Sequence, residues 1–486
     1  MRLGRWTHAG GLLLGLSLLL GGCATAPKTS TSATLDQLLA DPALHGASVS
    51  LMVRDARSGS TLYQHNPRTR LTPASSLKLL TTAAAMDVLG PQYRFSTQLL
   101  SDGIRQGAVL YGNLYLRGLG DPTIQWADYQ ALAASLAQQG IRQVQGDLVF
   151  DDTFFDAERL GTDWSQDDES TYYGAQISAL TVSPNDDFDA GSLLVTAKAP
   201  VVAGRPVTVD ISPATDYVQI GNRAVSGPGN SYGINRQHGT NLLRLSGALA
   251  PGKQSRQLVS VWEPTQLVAN LFGQALAQQG IVVQGRRMIG GVTPTTATVL
   301  AMHDSAPLQN LITPLLKLSN NNMSEALLKS MGRKTVNAGT APAGVAAVAG
   351  FLKRQGIDTA TLNQVDGSGL SRRNLVSSQN LTDVLLAASK QPWFNAWYNA
   401  LPVAGNPDRL VGGSLRYRLR GTAAENNLHG KTGSMSGVSS LTGYVTDAKG
   451  RKLVFSMVTN NYVVAGARVK ALENRLATAL ANSTDY

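Results

Sequence analysis

Hydrophobic and polar positions follow different rhythms in different parts of the chain. Near the start, residues 47–56 (ASVSLMVRDA) and 61–66 (TLYQHN) read as two strands joined by the turn RSGS. Residues 73–86 (PASSLKLLTTAAAM) then read as a buried helix, because leucines and alanines crowd every face. Lys78 is the one charged side chain between Arg70 and Asp87. Near the end, residues 427–435 (NLHGKTGSM), 439–447 (SSLTGYVTD) and 451–461 (RKLVFSMVTNN) read as three strands, with turns at Gly437 and at AKG. Residues 467–481 (ARVKALENRLATALA) place their leucines on one helical face. Strands at both ends with helices between predict one α/β sheet built from the two ends of the chain.

The middle has its own pattern. Residues 131–150 and 270–285 share LAQQGI followed by a strand-like run, and FLKRQGID (351–358) repeats the theme. A helix that ends at a left-handed glycine, with an isoleucine packing back onto it, accounts for the repeat as architecture. From Asp187 to Val259 the text is turn-rich and strand-like, which predicts a small β domain nested in a larger insertion.

At 486 residues the chain is too long for one core, so two or three domains are expected. The net charge of +10 would favour anionic partners, but the basic residues form no block and no nucleic-acid motif accompanies them. Nucleic acid is therefore not an expected partner. Arg2 and Arg5 precede the apolar run GGLLLGLSLLLGG, which ends at Cys23, the only cysteine. A basic start and a short apolar stretch describe a secretory signal, too short to span a bilayer as a helix. LGGC resembles a bacterial lipobox; the alternative is an ordinary signal peptide cleaved near CATA. The lipobox predicts a signal over residues 1–22, lipidation of Cys23, a polar tether over 23–34 and a membrane anchor. Ala24 after the cysteine resembles outer-membrane lipoproteins of Gram-negative bacteria, placing the protein in the periplasm.

Three short motifs carry candidate chemistry. In Ser75-Ser76-Leu77-Lys78, helical residues three apart share a face, so Lys78 meets Ser75 and not Ser76. A serine beside an amine base is a known activated nucleophile. The lysine must then lose its proton near neutrality, which takes roughly 4 to 5 kcal/mol of environment. The alternative is a serine cap with Lys78 reaching out to solvent. In KLSNNNMSEALLKSM, Ser319 and Asn321 sit in a polar turn between two helical runs, as proton shuttle and substrate donor or as helix caps. In HGKTGSMSG, Lys431 and Thr432 can bind a carboxylate, and Gly433 can let a substrate backbone lie close to the strand. The N–H groups of Ser75 and Ser434 are candidate oxyanion donors.

Serine–x–x–lysine, serine–x–asparagine and lysine–threonine–glycine, in this order, form the signature set of penicillin-binding proteins and serine β-lactamases. The chain resembles the D-alanyl-D-alanine carboxypeptidases/endopeptidases of the class C low-molecular-mass group. DGSGLSRRNLVSS (366–378), LPVAGNPDRLVGGSLRYR, GDLVFDDTFFD and WSQDDESTYYGAQISALTVSPND add to the likeness, as do the 244 positions between Ser75 and Ser319. The resemblance implies an α/β (α+β) penicillin-binding/serine β-lactamase-like transpeptidase domain, an antiparallel sheet flanked by helices. It further implies a large inserted region that includes a small β domain. The expected parts are a catalytic domain over 35–95 and 306–486, an inserted domain over 96–186 and 260–305, and the nested β domain over 187–259.

The resemblance implies attack by Ser75 on a peptidoglycan stem peptide ending in D-Ala-D-Ala, with Lys78 as base. Ser319 and Lys431 would relay a proton to the leaving amine, and Asn321 would orient the substrate. β-Lactams would acylate Ser75. Asp168 and Tyr173 match positions that contact a diaminopimelate side chain, although Asp168 is equally readable as a helix cap or a solvated acid. Arg372 would bind a peptide carboxylate or brace its loop. No cofactor and no metal are expected; the oligomeric state is left open. A serine β-lactamase and a non-catalytic wall-binding lipoprotein are the rival readings. GNSYG (229–233) matches the nucleophile-elbow pattern but lacks a following helix in the sequence.

Overall fold

In the computed structural model, residues 30–360 and 362–486 are described; the signal and Cys23 lie outside the described residues. Five antiparallel strands form the central sheet: β1 (Ser48–Asp55), β2 (Thr61–His65), β3 (His429–Met435), β4 (Val438–Thr446) and β5 (Lys452–Asn460). Their order is β2-β1-β5-β4-β3, so the two ends of the chain meet between β1 and β5, and β3 is an edge. Side chains alternate across the sheet. Leu453, Phe455 and Met457 of β5 enter one core, with Leu35 and Leu38 of α1 (Thr31–Leu39) and the leucines of the C-terminal helix Gly466–Ala481. Val454 and Val458 enter the other, which is built mostly from helices, with Phe155, Ile177 and Ala179 of the insertion at its border.

At the centre of that second core lies α2 (Lys78–Val88), in which residues 78–86 are all buried. Alanine and leucine on every face suit a helix surrounded by protein. Next to it are α3 (Leu308–Leu318) and α4 (Asn321–Val336). The expected tether to residue 34 stops short, because α1 begins at Thr31. Ser30 caps this helix, and Thr31 N–H donates to Asp485 at 2.7 Å, a partner at the opposite end of the chain. Among the described residues no single helix is long and apolar enough to cross a membrane.

Between Ser96 and Asp304 the chain builds the insertion. The helices Trp126–Gln138 and Pro264–Gln278 each end at a left-handed glycine, Gly140 and Gly280. Ile141 and Ile281 then fold back, their N–H groups reaching Leu136 and Leu276 carbonyls at 3.1 and 3.0 Å. The strands that follow stack in parallel, Gln143–Val144 on Val282–Val283 and Leu148–Asp151 on Arg287–Ile289. The LAQQGI repeat is thus one helix–strand–strand unit used twice. Residues 192–260 add two three-stranded sheets and one two-stranded sheet, Val225–Ser226 on Ala248–Leu249. Leu193, Val195, Leu243 and Leu245 of these sheets share one core with Leu267, Leu271 and Phe272 of the second repeat helix. Ser231 of GNSYG is followed by the strand Gly233–Arg236, not by a helix.

Candidate active site

The chain enters α2 through a 3-10 turn, Ala74–Leu77. Ala74 is left-handed at φ 47, an uncommon conformation for a residue with a side chain. The sequence places Ser75 in the first α-helical turn; instead it sits one element earlier. Residues three apart eclipse in a 3-10 turn, which tightens the Ser75–Lys78 relation. Ser75 stays half-buried at a cavity of about 1160 Å³. Ser76 is fully buried beside Ser440, Oγ to Oγ 2.7 Å, and Ser440 Oγ donates to Pro73 O at 2.8 Å.

Lys78 has no exposed surface. Its Nζ lies 3.1 Å from Ser75 Oγ, 2.6 Å from Asn321 Oδ1 and 2.7 Å from the Ser368 carbonyl. A neutral amine has two N–H donors and one lone pair. The two firm acceptors can take the donors, which leaves the lone pair for the Ser75 hydroxyl proton. Burial pulls Lys78 down to about 7, against the opposing pull of Asp366 and Glu325. Burial, and then the charge of Lys78, hold Lys431 well below the ordinary lysine value.

Ser319 ends α3 in a left-handed conformation, φ 63, and its Oγ accepts from Lys431 Nζ at 2.8 Å. Asn320 caps α4 through Met323 N–H at 2.9 Å, and its amide reaches Asp187 and Phe188 carbonyls in the insertion. Asn321, the first residue of α4, holds Lys78 with its oxygen and donates its amide to Tyr173 O at 2.9 Å. In this state its donor faces the insertion. Thr432 Oγ1 donates to Ser414 Oγ at 2.7 Å. Ser434 is exposed on the edge strand.

Gly433 requires a correction. A Cβ there would stand 2.5 Å from Pro73 O, 2.4 Å from Ser440 Oγ and 3.0 Å from Ser75 N. The missing side chain makes room for the protein's own Pro73–Ser75 turn, not for a substrate backbone.

Ser75, Ser319, Asn321, Ser434, Asp168, Tyr173 and Arg372 line the cavity; Lys78 and Lys431 sit behind its wall, and Thr432 and Gly433 are not among its lining residues. Asp168 Oδ1 accepts from Tyr173 OH at 2.9 Å, whereas the turn Gln166–Asp168 is capped by Ser165, so Asp168 is no cap. Arg372 donates to Ser436 O at 2.9 Å while lining the cavity, so it braces a loop at the mouth. Arg409 pairs with Asp187 across the same mouth. Among the described residues no three His, Cys, Asp or Glu side chains are grouped to hold a metal ion.

The profile of the D-Ala-D-Ala carboxypeptidase 3 (S13) family matches residues 31–483. The chain belongs to the S13 family. A D-alanyl-D-alanine carboxypeptidase of Actinomadura sp. (strain R39) is 43% identical over 477 residues, 96% of this chain and 88% of the relative. The D-alanyl-D-alanine carboxypeptidase DacB of Haemophilus influenzae is 29% identical, covering 86% of each chain. The solved structure of penicillin binding protein 4 (dacB) from Haemophilus influenzae aligns with a TM-score of 0.82 at 25% identity, over 92% of this chain and 99% of that one. The same protein complexed with a β-lactam aligns with a TM-score of 0.76 at 26% identity and the same coverage. The chain has the penicillin-binding fold.

In this S13 chain the sequence reading missed the layer behind Lys78. Glu325 and Asp366 are buried there with Ser368. Asp366 accepts from Gly369 N at 2.8 Å, Ser371 N at 2.7 Å and, from the insertion, Trp164 Nε1 at 3.1 Å. The DGSGLS run was the available signal, but it carried likeness without a role.

Proposed function

We propose that this S13 chain is a serine D-alanyl-D-alanine carboxypeptidase acting on peptidoglycan stem peptides through a Ser75 acyl-enzyme, and that β-lactams acylate the same serine. The observation that carries this is the buried Lys78 amine 3.1 Å from Ser75 Oγ, with both of its N–H donors occupied elsewhere. Lys78 takes the Ser75 hydroxyl proton as Oγ bonds to the carbonyl carbon of the penultimate D-alanine. The N–H groups of Ser75 and Ser434 stabilise the oxyanion. As the peptide bond breaks, Ser319 gives its proton to the departing D-alanine amine and is replenished by Lys431, 2.8 Å away. Water then hydrolyses the ester: Lys78 gives back to Ser75 Oγ the proton it took, and a proton shed by the attacking water returns through Ser319 to Lys431. Thr432 turns from Ser414 to the terminal carboxylate, and Asn321 turns its amide to the substrate.

If the leaving amine belongs to a neighbouring peptide, the same steps cleave a crosslink, and the large cavity between the two parts of the chain favours this endopeptidase activity. Asp168 with Tyr173 then meets a side-chain ammonium such as that of diaminopimelate. The substrate class places the protein outside the cytoplasm. The LGGC sequence supports lipidation of Cys23 and an outer-membrane anchor; Cys23→Ala should then lose membrane fractionation. The function itself is tested by D-alanine release from a peptide ending in D-Ala-D-Ala. Wild type is expected to release it and Ser75→Ala is not. Rapid, repeated turnover of penicillin without D-alanine release would instead make the protein a β-lactamase.

A further inference from the structure

The layer behind Lys78 contains a carboxylate that the reaction steps above leave unused. Glu325 lies one turn beyond Asn321 on the same face of α4, and it is buried. Its Oε1 accepts from Gly367 N at 3.0 Å and Ser368 N at 2.8 Å, and its Oε2 from Gly367 N at 2.9 Å. These two peptide N–H groups belong to the residues whose carbonyls face α2. Gly367 O accepts from Thr81 Oγ1 at 2.7 Å, and Ser368 O accepts from Lys78 Nζ at 2.7 Å. One carboxylate thus fixes the peptide segment that presents a carbonyl to the base.

We infer that Glu325 is a positioning residue whose charge, transmitted across the Gly367–Ser368 peptides, joins that of Asp366 in setting the pH at which Lys78 becomes a base. The inference rests on Lys78 serving as the base for Ser75. Glu325 does not line the cavity, so it acts through Lys78 and not on substrate. The charged groups around it are Lys78 of α2 and Asp366 of the loop, with Lys431 of β3 beyond Lys78. Lys329, the next cation along α4, is taken up by Asp156 at 2.5 Å. Burial, and then the neighbouring Asp366 charge, raise Glu325 to about 7, the region to which Lys78 falls. Opposite charges at close range stabilise each other's ionised forms. An ionised Glu325 therefore favours the protonated form of Lys78, and a neutral one favours release of the proton. The two groups titrate as a pair.

The test is the pH profile of acylation by a fluorescent penicillin. In Glu325→Gln the acid limb should move to lower pH by about one unit, since a charge that favours protonated Lys78 is gone. Glu325→Ala should move it the same way and also slow acylation, because two buried N–H groups lose their acceptor. A slower rate with the wild-type limb in a folded variant would make Glu325 merely structural and overturn the inference, leaving the Ser75 mechanism intact. Acylation of Ser75→Ala would instead sink the mechanism beneath it. Should neither Glu325 variant fold, the wild-type profile decides. An acid limb wider than a single ionisation supports the paired titration, and a one-proton limb contradicts it.

Discussion

The Gly433→Ala substitution puts a number on how tightly the nucleophile turn is held. The added carbon would stand 2.5 Å from Pro73 O and 3.0 Å from Ser75 N, where ordinary contacts begin near 3.4 Å. The Ser440 hydroxyl, 2.4 Å away, cannot simply rotate off, since it is held by Ser76 Oγ and Pro73 O. The Pro73–Ser75 backbone must therefore retreat by about 1 Å, and a displacement of that size costs about a hundredfold in rate. That corresponds to about 2.7 kcal/mol of transition-state stabilisation. Overpacking should also lower stability by about 1–3 kcal/mol. The assay is the second-order rate of acylation by a fluorescent penicillin, with a thermal melt on the same samples. Gly430→Ala is the control on the same strand: its carbon meets Thr442 O at 3.0 Å and touches nothing in the nucleophile turn. It should acylate within about threefold of wild type, as expected for a site outside the reacting geometry. A folded Gly433→Ala protein that also acylates within about threefold would refute the reasoning.

Three further outcomes follow from the same geometry. Penicillin acylation should fall as pH drops through about 7, because protonation there removes the Lys78 lone pair; a flat profile from pH 5 to 9 would contradict this. Asp168→Asn should reduce hydrolysis of a peptide with a free side-chain amine at least about tenfold relative to the amine-blocked peptide, since the charge-assisted contact is lost; an unchanged ratio would remove Asp168 from substrate recognition. Arg236→Ala should cost about 3–5 kcal/mol in denaturant unfolding, because the buried guanidinium clamps Glu169 and the carbonyls of Ser260 and Thr240; a loss under about 1 kcal/mol would show the clamp to be dispensable.

Local spacing made some of this legible and could not reach the rest. Short strand-like runs bounded by turns at both ends of the chain were enough to predict the shared sheet, although β4 and β5 are buried almost along their whole length and not on alternate residues. The three-residue step from Ser75 to Lys78 likewise selects the serine that meets the lysine. What excludes Ser76 independently is Ser440, a contact between residues far apart in sequence. The same limit hid Glu325, whose partners Gly367 and Ser368 come from a loop with no local mark of the contact. Gly433 was misread because the backbone that crowds it comes from Pro73, at the other end of the chain. The tether ended early for a similar reason: Thr31 is held by Asp485.

The central claim is that Ser75 is the nucleophile. The most direct measurement is peptide mapping by mass spectrometry after brief reaction with a penicillin. One adduct is expected, on the peptide at Ser75, lost in Ser75→Ala and retained in Ser76→Ala. An adduct that persists in Ser75→Ala would contradict it.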